Sequence, residues 1–280
     1  MSKTKKHNVY LLILAALVAA VIYFFFMSEK AIAPTPEKDY VPTSVTPSVD
    51  AANIQEIKNS LVDANALMYH HIGTLPQDAD NIRKGLTVST EEFDKQLKYL
   101  QDNGYKTLTL GQLSQAIEQK KVPQKVAVLT FDDGYDDNYK DALPIMKKYN
   151  MVGTFFIITS KIGTSEYMSE QELKELVSYG NELGSHSVSH PGLDKLKGVA
   201  LQNEVVKSKE KLEEISGQKM ISFCYPAGKY NEDTIKALQD AGYKIAVTTR
   251  ASSGEVDTSK LFEVSRYRIS SSMSFPALLH

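Results

Sequence analysis

The 280-residue chain exceeds what one small domain needs and falls in the range where α/β barrels fold as a single domain. Hydrophobic residues at 42% and charged residues at 24% are ordinary globular values, which excludes a disordered chain, a fibrous repeat and a polytopic membrane protein. Lys3, Lys5 and Lys6 precede an apolar run with no acids among them, so the net charge of −2 becomes −5 beyond Met27. A mildly acidic body without a basic block gives no electrostatic basis for a nucleic-acid partner. The single cysteine, Cys224, allows neither an internal disulfide nor a thiolate metal cluster. Any metal chemistry therefore falls to His and carboxylate ligands.

From Val9 to Met27 the chain reads VYLLILAALVAAVIYFFFM, without a charge. At about 1.5 Å per residue this run is long enough to cross a hydrocarbon core of about 30 Å. The lysines on its N-terminal side predict a cytoplasmic tail over 1–8, a signal-anchor over 9–27 inserted in the lipid bilayer, and an extracytoplasmic remainder. Ala31-Ile32-Ala33 offers the competing possibility of a cleaved signal and a secreted product. Four prolines between Pro34 and Pro47 mark an extended tether, assigned with a short following helix to 28–63. That helix would carry Ile54, Ile57 and Leu61 on one face. The main domain is then 64–280.

Ala66-Leu67-Met68 reads as a buried strand. Ser89-Thr90-Glu91-Glu92 is a capping pattern before Phe93, Leu97 and Leu100 at helical spacing, with Gly104 as the stop. A strand over Tyr105–Leu110 and a helix over Leu113–Gln119 lead to Val126–Phe131, a continuous apolar strand ending in Asp132-Asp133-Gly134. A helix to Tyr149, a strand over Gly153–Ile158, a helix from Ser169 to Val177 and a long helix over Asp194–Ile215 follow. Met220–Tyr225 reads as a strand, Asn231–Ala241 as a helix and Tyr243–Thr248 as a strand. Apolar strands alternating with amphipathic helices predict a parallel sheet covered on its outer side, and about seven such units favour a barrel. Polar clusters follow the C-terminal ends of several strands, where barrel enzymes keep their chemistry.

Asp132 and Asp133 are adjacent carboxylates that repel each other unless a cation or a shared proton relieves them. Taken alone they read equally as an acidic helix start, since Asp136 and Asp137 follow. His186 and His190 lie four apart in HSVSH and can offer two imidazoles to one ion. Four of the six histidines fall in two clusters, His70-His71 and His186/His190. One Asp with two His is a three-ligand set that leaves positions open for water and substrate. Cys224 reads as a small buried hydrophobe.

TFDDG at Thr130, HSVSH at His186 and Tyr225-Pro226-Ala227-Gly228 after a strand together resemble the polysaccharide deacetylase (NodB-homology, carbohydrate esterase family four) domain. LMYHHI at Leu67 and VSTEEFDKQLKYLQDNGYKTLTL are similar to the subgroup of biofilm poly-N-acetylglucosamine deacetylases. The resemblance spans about 65 to 270 and implies a distorted (β/α) barrel holding a divalent metal, usually Zn2+. Carried across, Asp133, His186 and His190 look like the metal ligands and Asp132 like the general base. His70 resembles the subgroup's proton donor, with His71 pointing away. Ala227 would offer an oxyanion N–H, and Tyr225 would line the substrate site.

The family's usual arginine before the third-motif proline is missing, its place being Cys224 or Tyr225. Arg266 and Arg268 are the replacements on offer, with Arg266 the first choice. The chain has no Trp for the family's tryptophan motif, and Leu278-Leu279-His280 matches the late Leu-x-His motif only superficially. The expected activity is metal-dependent removal of N-acetyl groups from an N-acetylglucosamine-containing envelope or extracellular polysaccharide, the partner substrate. The rivals are an O-acetyl esterase on xylan or another acetylated glycan, and a non-catalytic wall-glycan-binding domain.

Overall fold

In the computed structural model the described residues are 54–271 and 273–279. The tail, the apolar run at 9–27, the prolines of the tether and His280 lie outside them. Among the described residues no helix is long and apolar enough to cross a membrane.

Eleven strands are described: β1 (Leu61–Tyr69), β2 (His71–Ile72), β3 (Thr87–Val88), β4 (Lys106–Thr107), β5 (Val126–Phe131), β6 (Gly153–Ile157), β7 (Glu182–Ser185), β8 (Ser222–Cys224), β9 (Ile245–Ala251), β10 (Glu255–Asp257) and β11 (Val264–Arg268). Pairing runs β1–β5–β6–β7–β8–β9–β11 and returns to β1, a closed ring of seven parallel strands. The expected seven-stranded barrel is therefore present, and its distortion is visible in the register. β1 and β5 pair along six residues, Ala64↔Val126 to Tyr69↔Phe131, whereas β7 and β8 share only Ser185↔Phe223. β10 fills the start of β1 in antiparallel fashion, and β4 lies along the start of β5.

Seven helical stretches wrap the ring: α1 (Asn81–Leu86), α2 (Thr90–Asp102), α3 (Leu110–Glu118), α4 (138–148), α5 (Glu170–Ser178), α6 (198–216) and α7 (Glu232–Asp240). α4 opens with a π-helical turn, Asn138–Ala142, and α6 contains another, Asn203–Lys207. Caps set most starts, as the hydroxyl or amide oxygens of Ser89, Thr109, Ser169 and Asn231 accept N–H groups of the first turns. Gly104, at φ 73, supplies the left-handed residue after α2.

The period of two along each strand sorts the core. Ala64, Ala66, Val126, Val128, Phe156, Cys224, Val247 and Val264 fill the barrel interior. Leu67, Tyr69, Leu129, Phe131, Phe155, Phe223 and Tyr225 face outward to the helices.

Several expectations are corrected. Residues 54–60 form no helix: Ile54 bridges to Pro123, and Leu61 begins β1. Gln55 bonds Asp63 and Pro123 through its side chain, so the folded domain begins before residue 64. The strand expected to run to Leu110 stops at Thr107, because Thr109 and Gln112 form a reciprocal cap that starts α3 at once. The long helix starts at 198 rather than Asp194. Leu193–Lys195 make a single 3₁₀ turn, and Leu196 and Lys197 are extended.

Candidate active site

Alternation carried one step past β5 aims Asp132 into the barrel mouth, in line with Val128 and Thr130. Asp132 is buried, at 2% exposure. Arg266 on β11, the strand on the other side of β1, meets it inside the barrel and is itself completely buried. Its Nη1 donates to Asp132 Oδ1 at 2.7 Å and its Nη2 to Oδ2 at 2.8 Å, a bidentate pair. The remaining guanidinium protons go to Thr248 O, Thr130 Oγ1 and Cys224 Sγ, so all five N–H groups are used. Burial by itself pushes the Asp132 carboxyl up. The Arg266 charge and hydrogen bonds outweigh that and hold it well below the usual carboxylate range. Of the two arginines offered by the sequence, Arg266 is thus the one paired with Asp132, while Arg268 is exposed.

Cys224 is more than a small hydrophobe. Its Sγ lies 3.6 Å from Asp132 Oδ2 as donor and 3.2 Å from Arg266 Nη2 as acceptor. Burial pushes its thiol pKa up, so it stays protonated.

Asp133 turns the other way. It adopts φ 75, a left-handed conformation that aims its side chain across the mouth to the loop after β7. Asp133 Oδ1 lies 3.3 Å from His186 Nε2 and 3.5 Å from His190 Nε2, and the three groups' ligand atoms all lie within 4.8 Å of one another. Ligands at about 2.05 Å in a tetrahedron stand about 3.3 Å apart. The two separations from Asp133 therefore match the edges of a zinc-sized coordination shell. His186 Nδ1 is engaged by Cys224 O at 2.8 Å, which leaves Nε2 for an ion. The residues present thus fit a divalent metal. A second group, Asp132, His186 and Cys224, also clusters. It fits poorly, since both Asp132 oxygens are taken by a guanidinium, the thiol is protonated, and an ion there would face the Arg266 charge.

His70, between β1 and β2, has Nε2 at 3.9 Å from Asp132 Oδ2. Burial lowers its pKa, which the neighbouring carboxylates only partly offset. His71 does point away: its Nδ1 pairs with Asp137 at 2.7 Å and its ring stacks on Tyr135 at 3.7 Å. Buried Asn138 holds the His70 carbonyl at 2.7 Å. Ala227 is left-handed (φ 51, ψ 20) in the turn after β8.

Tyr225 does not line the site. Strand alternation turns it outward, where it is fully buried, stacked on Tyr230 at 4.3 Å, with its hydroxyl on Phe262 O at 2.9 Å. Asp137 was read from sequence only as an acid at a helix start, and Asn138 and Glu204 were not singled out. Asp137 sits at the N-cap of α4 and Asn138 begins it, whereas Glu204 lies within α6.

The family model described as Polysaccharide deacetylase matches residues 119–246. A Bacillus subtilis protein named as a polysaccharide deacetylase, YxkH, is 37% identical over 209 residues, covering 74% of this chain and 72% of its own. A Staphylococcus aureus poly-beta-1,6-N-acetyl-D-glucosamine N-deacetylase is 29% identical over 175 residues, 58% of this chain and 60% of that protein. Among solved structures, the Streptococcus pyogenes deacetylase PplD, in complex with acetate, is similar at 31% identity and a TM-score of 0.72, covering 78% of this chain and 97% of that one. The identity and extent of the match to the Bacillus subtilis protein, together with the likeness of the folds, place the chain in the polysaccharide deacetylase family of hydrolases.

Proposed function

We propose that the protein removes N-acetyl groups from N-acetylglucosamine units of an envelope or extracellular polysaccharide, using a divalent metal, with zinc the best match. The observation that carries this reading is the convergence of Asp133, His186 and His190 beside a carboxylate, Asp132, that Arg266 keeps ionised. The likeness to a named poly-N-acetylglucosamine N-deacetylase supports the amide over the ester. The apolar run at 9–27 supports a membrane-anchored chain working outside the cytoplasm.

In this reading Asp133, His186 and His190 hold the ion. Bound there, it would supply a water acidified towards pKa ~7 and a Lewis acid for the acetyl carbonyl. Asp132 takes the proton released as water adds to that carbonyl carbon. Arg266 fixes the orientation of this base by gripping both of its oxygens. The Ala227 N–H donates to the developing oxyanion. His70, whose Nε2 lies 3.9 Å from Asp132 Oδ2, receives that proton from Asp132 and delivers it to the sugar nitrogen as the C–N bond breaks, yielding acetate and a free amine.

The test is acetate release by the full-length chain in detergent with zinc or cobalt. Substrates are β-1,6- and β-1,4-linked N-acetylglucosamine oligomers, peptidoglycan and acetylated xylan. Release from an N-acetylated glycan supports the proposal. Release from xylan alone makes the protein an esterase, and none from any of them defeats the reading.

A further inference from the structure

The two imidazoles of the ion-binding set are not equally secured. His186 follows β7 directly, with its N–H on Ile157 O at 3.0 Å and its ring on Cys224 O. His190 lies four residues out on a loop, its side chain 36% exposed. That loop contains two left-handed non-glycine residues, Ser187 (φ 66) and His190 itself (φ 62). Such residues are uncommon and persist where the surroundings over-determine them.

The surroundings here converge on one carboxylate. Glu204 Oε2 accepts the Val188 N–H at 2.8 Å and the Ser189 N–H at 2.9 Å, and its Oε1 accepts the Ser189 hydroxyl at 2.6 Å. Glu204 sits in the π-helical turn of α6, a feature often found at functional sites. Ser208 ties that turn to the root of the loop, with Oγ bonds to Glu204 O at 2.7 Å and Ser185 Oγ at 2.7 Å. From the far side, the Thr159 and Ser160 N–H groups bond Ser187 O and Val188 O, and Ser187 Oγ accepts the His190 N–H at 2.9 Å. The segment between the two imidazoles is thus clamped on both sides, with Glu204 supplying three of the bonds.

We propose that Glu204 is a positioning residue for His190 and thereby sets the affinity of the site for its ion. The assignment rests on the metal reading above. Glu204 touches neither ion nor substrate; it holds the loop in the conformation that brings His190 Nε2 to Asp133.

The experiment measures zinc and cobalt dissociation constants of the full-length protein in detergent by chelator competition. Cobalt ligand-field spectra and the melting temperature of the metal-free protein are recorded in parallel. Loss of a group that orients a metal ligand typically weakens binding about 10–100-fold. Glu204→Ala should show a loss of that size and an altered cobalt spectrum at temperatures where it is fully folded. Glu204→Gln keeps an oxygen for both N–H groups and an NH2 for the Ser189 hydroxyl, so it should bind within about threefold of wild type. Ser189→Ala, on the exposed rim, removes one bond of the three and should cost an intermediate factor. It carries the test if Glu204→Ala fails to fold. Unchanged affinity in the Ala variants overturns the assignment, as does a loss in Glu204→Gln equal to that in Glu204→Ala. A wild-type protein that binds neither ion removes the metal reading itself, and this assignment with it.

Discussion

Arg266→Met removes the charge that faces Asp132 while filling much of the same volume. Both partners are buried, and the pair is bidentate at 2.7 and 2.8 Å. Deleting one member of such a pair strands the other, at a cost of about 3–5 kcal/mol. For a folded domain of this size each kcal/mol lowers Tm by about 2–4 °C, so calorimetry should show a fall of about 6–20 °C at neutral pH. The pH dependence supplies a second signature. In the wild type the native pKa of Asp132 lies below its unfolded value. The native state therefore binds that proton less readily, and the pair stabilises the fold above pH ~4. This contribution fades as pH falls through the unfolded value towards the depressed native one. In the variant burial is opposed only by the weaker attractions of His70 and His186, so the carboxyl pKa rises and the ionised form is less well supported at neutral pH. The Tm gap should be widest at neutral pH and narrow on acidification. The acid limb of the deacetylation rate should move to higher pH, since the base is now protonated there. A variant with wild-type Tm and an unmoved acid limb, or a gap that widens on acidification, would refute the reasoning.

Two further substitutions separate the remaining roles. Asp132→Asn should leave bound metal unchanged while lowering acetate release about 10²–10⁴-fold, the usual worth of a positioned base; a near-wild-type rate removes Asp132 from that role. His70→Gln should cost a similar factor on an unactivated acetamide but far less on an aryl acetate, whose leaving group needs no proton, and equal losses on both would end its assignment as proton donor.

Much of this architecture was readable from the chain because the chemistry is local to strand ends. Asp132 and Asp133 follow an uninterrupted apolar strand, and His186 and His190 share one short loop, so their joint occurrence after strands, together with the motif resemblance, nominated them. Arg266 was legible only by elimination, as a charged residue in a late strand of a chain whose third motif lacks its arginine. What failed was orientation. Tyr225 and Cys224 are neighbours, and motif position cannot say which faces inward. The register of β8 against β9, Cys224↔Val247, decides that Cys224 enters the barrel and Tyr225 faces the helices. Glu204 was illegible for another reason: two of its three bonds come from backbone N–H groups of the loop, which leave no trace in residue type. The helix expected near Ile54 failed because its apolar spacing suits a strand bridge to Pro123 as well, and tertiary contacts decided between them.

The account turns on which side chains take the ion. X-ray absorption at the zinc edge of the zinc-loaded, full-length protein reads the ligand atoms directly. The prediction is two imidazole nitrogens and oxygen ligands at about 2.0–2.1 Å, with the nitrogen signal reduced in His190→Ala. A sulfur ligand at about 2.3 Å would put the ion on Asp132, His186 and Cys224 instead, and a shell without imidazole would contradict the site altogether.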